Sequence, residues 1–191
     1  MNSTEVHALL EEYGAIQHGH FLLSGGLHSD TFVQTALVTC HPGIAERLGH
    51  GLGERFASSD PTIVLAPAVA GLIIGHEVAR YLNVPMVFCE RVEGAMTLRR
   101  GFEISADDRV LVVDNAMTDG GSKREVVEMA QSLGAVVVGV AMIVDRSSGV
   151  SLGVPLGSLI ALDTKEWKPE DCPLCADGSA PVSPGSRHLA R

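Results

Sequence analysis

The chain has 191 residues, 46% hydrophobic and 19% charged, a length and composition that suit one domain with a sizeable core and exclude a disordered segment. Aromatic residues are only 4% of the chain while glycine reaches 21 positions, so the interior is aliphatic and the backbone turns tightly. A formal net charge of −9 argues against nonspecific binding of DNA or RNA, although a local basic patch can still hold a small anion. No stretch nears the ~18 consecutive apolar residues of a membrane span. The opening MNSTEVHALLEEYG is polar and acidic, unlike a secretory signal. Four cysteines, at 40, 89, 172 and 175, are too sparse for the framework of a small secreted domain. Both features point to the cytoplasm.

In chain order, Ser3 or Thr4 is placed to cap a first helix, with Val6, Leu9 and Leu10 at helical spacing and Gly14 as its stop. GHFLLSGGLHSDTFVQ reads as a strand pair or loop. Pro42 suits the first turn of a helix running to about Phe56. The pattern then alternates: strand Thr62–Leu65, helix Gly71–Leu82, strand Met86–Cys89, strand Arg109–Val113, helix Ser122–Leu133 and strand Val136–Val144. Continuous apolar strands interleaved with helices predict an α/β fold, its mostly parallel sheet covered on both faces. ERVEGAMTLRRGFEIS, too polar for a buried strand and too rich in glycine for a helix, reads as a mobile flap or hairpin. From Lys168 onward, CPLC, several prolines and PGSR suggest an extended tail.

The strongest motif is VLVVDNAMTDGGSKREV, residues 110–126. A buried strand delivers Asp114 to its C-terminal end, where open α/β sheets bind ligands. TDGGS then enters a helix: its glycines let backbone approach an anion, and the helix start offers free N–H groups and partial positive charge. Thr118 and Ser122 add hydroxyls. Neither GxxxxGK[ST] nor GxGxxG is present.

This segment resembles the signature of type I phosphoribosyltransferases: a strand, two acids, two small or apolar positions, then a Thr/Gly/Ser loop for a 5-phosphate. GHFLLSGGLHSDTFVQ, LAPAVAGLIIGHEVAR, FCERVEGAMTLRRGFEI, VDRS and CPLCADGSAPVSPGSR are similar, in the right order, to segments of bacterial orotate phosphoribosyltransferases of the branch with a CPLC tail. The resemblance implies a single type I phosphoribosyltransferase domain over 1–191, with a hood from about 1–40 and 155–191 and a core over about 41–154. It implies transfer of phosphoribosyl from phosphoribosyl pyrophosphate to orotate, in pyrimidine synthesis. Magnesium would be held through the substrate, and the enzyme would be a homodimer with flap residues shared across the interface.

The roles implied are specific. Asp114 and Asn115 contact the ribose hydroxyls, and Ala116, Met117, Thr118, Asp119, Gly120, Gly121 and Ser122 form the phosphate loop. Val69, Ala70 and Gly71 match the pyrophosphate loop. Arg146 holds orotate, Thr118 also touches the base, and Phe32 stacks on it. A guanidinium pairs with a carboxylate or phosphate through two parallel hydrogen bonds, which lysine cannot imitate. Arg146 ends an apolar strand, so it needs a partner there: a ligand, Asp145 or another acid. Arg91, Arg99 and Arg100, on or beside the flap, would neutralise departing pyrophosphate; otherwise they belong to a solvated basic hairpin.

Several positions depart from the family. Asn115 stands where the second acid is usual, Asp119 where a small residue is usual, Val92 where many relatives carry the flap lysine, and Leu23 where other branches have lysine. Two alternatives follow: a phosphoribosyl-pyrophosphate-binding regulatory homologue with impaired catalysis, or a transferase for another base. CPLC is open to three readings: half of a zinc site completed by Cys40, Cys89 or a histidine, a redox pair, or a tail turn with reduced thiols. His20, His28 and His76 read as satisfied polar residues, since no HxxE-type or HExxH spacing is present.

Overall fold

The computed structural model describes residues 1–23, 25–147 and 149–184. PGSR, expected in the tail, lies outside them from residue 185 onward. The chain runs α1 (Ser3–Glu12), β1 (Ile16–Leu22), β2 (His28–Val33), α2 (Ala36–Thr39), α3 (Pro42–Phe56), β3 (Ile63–Pro67), α4 (Leu72–Leu82), β4 (Met86–Val92) and β5 (Ala95–Leu98). It continues through β6 (Arg109–Met117), α5 (Gly121–Ser132), β7 (Val136–Asp145), β8 (Leu156–Ala161), β9 (Glu166–Trp167) and α6 (Pro173–Ala176).

Six strands form the main sheet in the order β5-β4-β3-β6-β7-β8, with every pair parallel except β4–β5. Strand alternation sends Leu111 and Val113 to one face, with α3 and α4 residues Leu48, Leu52, Ile74 and Val78. It sends Val110 and Val112 to the other face, with Val126, Val127 and Ala130 of α5. The two apolar layers account for the unbroken β-branched runs in the sequence, because a sheet covered on both faces has no polar side.

A second sheet, β1-β2-β9, is antiparallel and forms the hood. Residues 156–161, grouped with the hood by the sequence reading, instead pair with β7 as an edge of the main sheet. Leu159 and Ile160 are buried there against the α3 side, so their apolar content belongs to the core. The first helix is capped by Asn2 rather than Ser3 or Thr4. Asn2 Oδ1 accepts from the Glu5 amide at 2.9 Å and its own amide donates back to Glu5 Oε2 at 3.0 Å, a reciprocal capping box. The stretch after Lys168 is folded, not extended: α6 forms and Val182 pairs with Phe21 of β1. Among the described residues, no helix is long and apolar enough to cross a membrane.

Candidate active site

Register places the site. Leu65 of β3 is level with Val112 of β6, and Pro67 with Cys89 of β4. Asp114, Pro67 and Cys89 therefore mark one C-terminal rim, beyond which the loops after β3, β4 and β6 converge. Asp114 is 4% exposed. Its Oδ1 accepts from the Asn115 amide at 2.8 Å, and its Oδ2 lies 2.6 Å from Nζ of Lys123. Asn115 Oδ1 accepts from the Ala116 amide at 2.8 Å, and Nδ2 donates to Oγ1 of buried Thr35 at 2.9 Å.

Lys123 was not among the residues singled out from the sequence. The signal was present: 123, 126, 127 and 130 form the buried stripe of α5, and Lys123 is a charged residue at one of its apolar positions. Such a lysine needs a buried acid, and Asp114 supplies it.

The TDGGS turn forms a cradle at the start of α5. Gly120 caps the helix at φ +75°, and a Cβ there would lie 2.9 Å from Val150 Cγ1, so both backbone and packing require glycine. Asp119 does not point away from this cradle. Its Oδ1 accepts from the Gly121 amide at 3.0 Å, placing a carboxylate of the protein itself at the helix N-terminus. Met117, expected in the phosphate loop, has its side chain fully buried by strand alternation, so only its backbone faces the loop. Ala116 is half-buried against the core. In the loop after β3, Val69 and Ala70 are exposed. A Cβ at Gly71 would come within 2.9 Å of the Val113 carbonyl oxygen, which forces that close approach to β6.

The flap is a hairpin, with β4 continuing past Cys89 to Val92 and pairing with β5. Its arginines are largely engaged within the chain. Arg91 pairs with Glu125 of α5 at 2.9 Å and donates to the Gly94 carbonyl. Arg100 pairs with Glu90 at 2.8 Å and sits over the Phe88 ring, which holds the Glu90 carboxyl below the usual carboxylate range. Arg99 has no hydrogen-bonded partner among the described residues.

Arg146 is 8% exposed and lies beneath the hood. Its Nε and Nη2 donate to Thr164 Oγ1 at 3.2 and 3.1 Å, and Nη2 also reaches the Thr31 carbonyl and Glu166 Oε1, each at 3.4 Å. Burial lowers its pKa from the ordinary guanidinium value, with Glu166 and Asp30 opposing. The acid beside it is Glu166 rather than Asp145, whose carboxylate caps the Ser147 amide. Phe32, on the same hood strand as Thr31, packs tilted against Phe21 at 5.7 Å. The hydroxyl of Ser147, which follows Arg146, is buried without a partner among the described residues.

A parallel sheet with a buried acid at its rim, a glycine turn feeding a helix start and an arginine under a hood define a phosphoribosyltransferase. The sequence pattern of the phosphoribosyl transferase domain matches residues 38–153, and the chain belongs to that family. Its relatives place it in the orotate branch. It is 45% identical to the orotate phosphoribosyltransferase of Caldanaerobacter subterraneus subsp. tengcongensis, over 99% of this chain and 100% of that one. It is 43% identical to that of Thermotoga maritima, over 96% and 99%. Among solved structures, the orotate phosphoribosyltransferase of Mycobacterium tuberculosis in complex with inorganic phosphate superposes with a TM-score of 0.68 at 25% identity, covering 84% of this chain and 95% of that one.

Proposed function

We infer that the protein transfers the phosphoribosyl group of phosphoribosyl pyrophosphate to orotate. The bond from ribose C1 to the pyrophosphate oxygen breaks, and a bond from C1 to N1 of orotate forms as N1 loses its proton. The observation that carries this reading is Arg146, a buried guanidinium whose Nη1 has no protein partner among the described residues, set beneath the hood strand β2 that also carries Phe32. It suits the carboxylate of a flat base. Asp114 and Asn115 bind the ribose hydroxyls, and the amides of 118–122 with the hydroxyls of Thr118 and Ser122 hold the 5-phosphate. Ala70 and Gly71 face the pyrophosphate. Arg91, Arg99 and Arg100 stabilise its departing charge, which requires Arg91 and Arg100 to exchange Glu125 and Glu90 for substrate oxygens.

Magnesium fits this rim only as a guest of the substrate. The one buried acid there, Asp114, is already held by Lys123 and the Asn115 amide, and Mg2+ suits sites built from substrate phosphates with one or two carboxylates. When bound it neutralises pyrophosphate charge. We also infer a homodimer in which Arg99 reaches the partner's site. Mixing an Arg99→Ala protein with an Asp114→Asn protein restores activity in the hybrid if sites are shared, and leaves both inactive if they are not.

Orotate consumption with phosphoribosyl pyrophosphate and magnesium is the direct assay, with uracil and purines as comparison substrates. Turnover of another base alone would point to a different specificity, and tight binding without turnover to a regulatory homologue. Asp119 and Asn115 set the rate within this reading. Freeing the Gly121 amide and removing a like charge from the cradle, Asp119→Thr tightens phosphoribosyl pyrophosphate by roughly tenfold. Asn115→Asp keeps the contact with Thr35, whose hydroxyl can turn to donate, and adds charge as the ribose becomes cationic. It therefore raises kcat more than affinity. Titration calorimetry and steady-state rates on the single and double variants check both effects. A fast wild-type enzyme that neither substitution improves would show that the loop already accommodates Asp119.

A further inference from the structure

The hood brings together four side chains that the transfer reaction does not use. His20 on β1, His28 on β2, and Cys172 and Cys175 around the start of α6 place one ligand atom each within 4.8 Å of all the others. His20 Nε2 lies 2.9 Å from His28 Nδ1, 3.5 Å from Cys172 Sγ and 3.8 Å from Cys175 Sγ. Cys175 Sγ is 3.3 Å from His28 Nδ1. With bonds of about 2.0–2.1 Å to nitrogen and about 2.3 Å to sulfur, a tetrahedral zinc ion sets its ligands about 3.3–3.8 Å apart. The cluster is already close to those edges.

Local structure aims each ligand at this point. A register shift in the β1–β2 ladder between His18 and Phe21 leaves both His20 and Phe21 buried, the usual consequence of a bulge. His20 Nδ1 lies 3.0 Å from the carbonyl oxygen of Ser179, which only accepts. The ring proton therefore sits on Nδ1, and the Nε2 lone pair faces the cluster, the arrangement that orients a metal-bound histidine. The Ala176 amide donates to the Cys172 carbonyl and the Gly178 amide to that of Cys175, winding the two thiols toward one side. The segment then returns along β1, with the Val182 amide bound to the His20 carbonyl and the Leu22 amide to that of Val182.

Neither other cysteine competes. Cys40 is exposed and donates to the Leu37 carbonyl, while Cys89 lies in the core, its thiol pushed up to about 11 by burial.

We propose that His20, His28, Cys172 and Cys175 form a structural zinc site that clamps the C-terminal segment to the hood. Two thiolates and two imidazoles select a borderline-soft ion over magnesium, and four protein ligands leave no open position for catalysis. The need is evident in the hood itself. It has only three strands, β9 has two residues, and a sheet of this size stands poorly without a staple. Its ligand His28 is in register with Trp167 of β9, so the clamp sits on the β2–β9 pair that carries Thr31 and Glu166, the hood-side partners of Arg146.

The test uses the full chain without an affinity tag, purified and passed over a chelating resin. Elemental analysis finds about one zinc per chain, and less than about a tenth of that in Cys172→Ser/Cys175→Ser. Replacing zinc with cobalt gives the intense visible bands of a tetrahedral thiolate site. Stripping the metal with a strong chelator lowers Tm by on the order of 10 °C, restored by added zinc. Three results overturn the proposal: no bound metal in wild type even after incubation with stoichiometric zinc, unchanged stoichiometry in the double variant, or a native mass lower by two hydrogens that reveals a Cys172–Cys175 disulfide. The wild-type metal content and cobalt spectrum decide the matter even if the variant fails to fold.

Discussion

Arg146→Ala raises KM for orotate by on the order of 10² to 10³ and moves that for phosphoribosyl pyrophosphate by less than about threefold. The asymmetry follows from where the guanidinium sits. Its protein partners are the hydroxyl of Thr164, the carbonyl of Thr31 and the Glu166 carboxylate, the last two at 3.4 Å. None of these is a close bidentate acid, and Nη1 has no partner among the described residues, so that side of the guanidinium is available to a ligand. A substrate carboxylate buried there without it would lose two charge-assisted bonds and stay unpaired, at a cost of about 2–5 kcal/mol. Arg146→Lys recovers only a small part, because a point charge does not reproduce the planar fork. Steady-state kinetics with each substrate varied in turn, beside thermal melts, give the measurement. Equal rises in both KM values with a large fall in Tm would mean that Arg146 supports the hood rather than the base.

The legible part of this site was local, and the rest was assembled at long range. Strand β6, its terminal acid and the glycine turn lie within one stretch, so period, turn chemistry and helix start could be read together. Arg146 was legible as an arginine ending an apolar strand, but Thr31 and Thr164 stand 115 and 18 residues away. No spacing rule links them. The same holds for Asn115 and Thr35, 80 residues apart, and for His20 and Cys172, 152 apart. The zinc reading of CPLC stayed open because its histidines come from the other end of the chain. Asp119 stands out in the sequence as a carboxylate where the family usually has a small residue. The sequence could not show that the same carboxylate satisfies the Gly121 amide, since an Asp before glycine serves either a turn or a ligand. Strand β8 was misgrouped for a related reason: LGSLIA carries no sign of which sheet it joins.

Lys123 supplies the largest stability effect. Lys123→Met leaves Asp114, 4% exposed, with a buried charge and only the Asn115 amide and remaining loop dipoles to balance it. Breaking a buried pair on one side costs about 3–5 kcal/mol, and for a chain of this size each kcal/mol moves Tm by roughly 2–4 °C. The variant should therefore melt on the order of 10 °C below wild type. Asp114→Asn in the same background removes the stranded charge, and the amide can still bond the Asn115 N–H. The double variant should recover most of the loss, a coupling that distant sites do not show. Its turnover should stay low if Asp114 binds the ribose hydroxyls as proposed. Denaturant and thermal unfolding of the two singles and the double give the cycle. If Lys123→Met melts with wild type and the two substitutions simply add, Asp114 has turned to water and the pair fixes neither strand β6 nor helix α5.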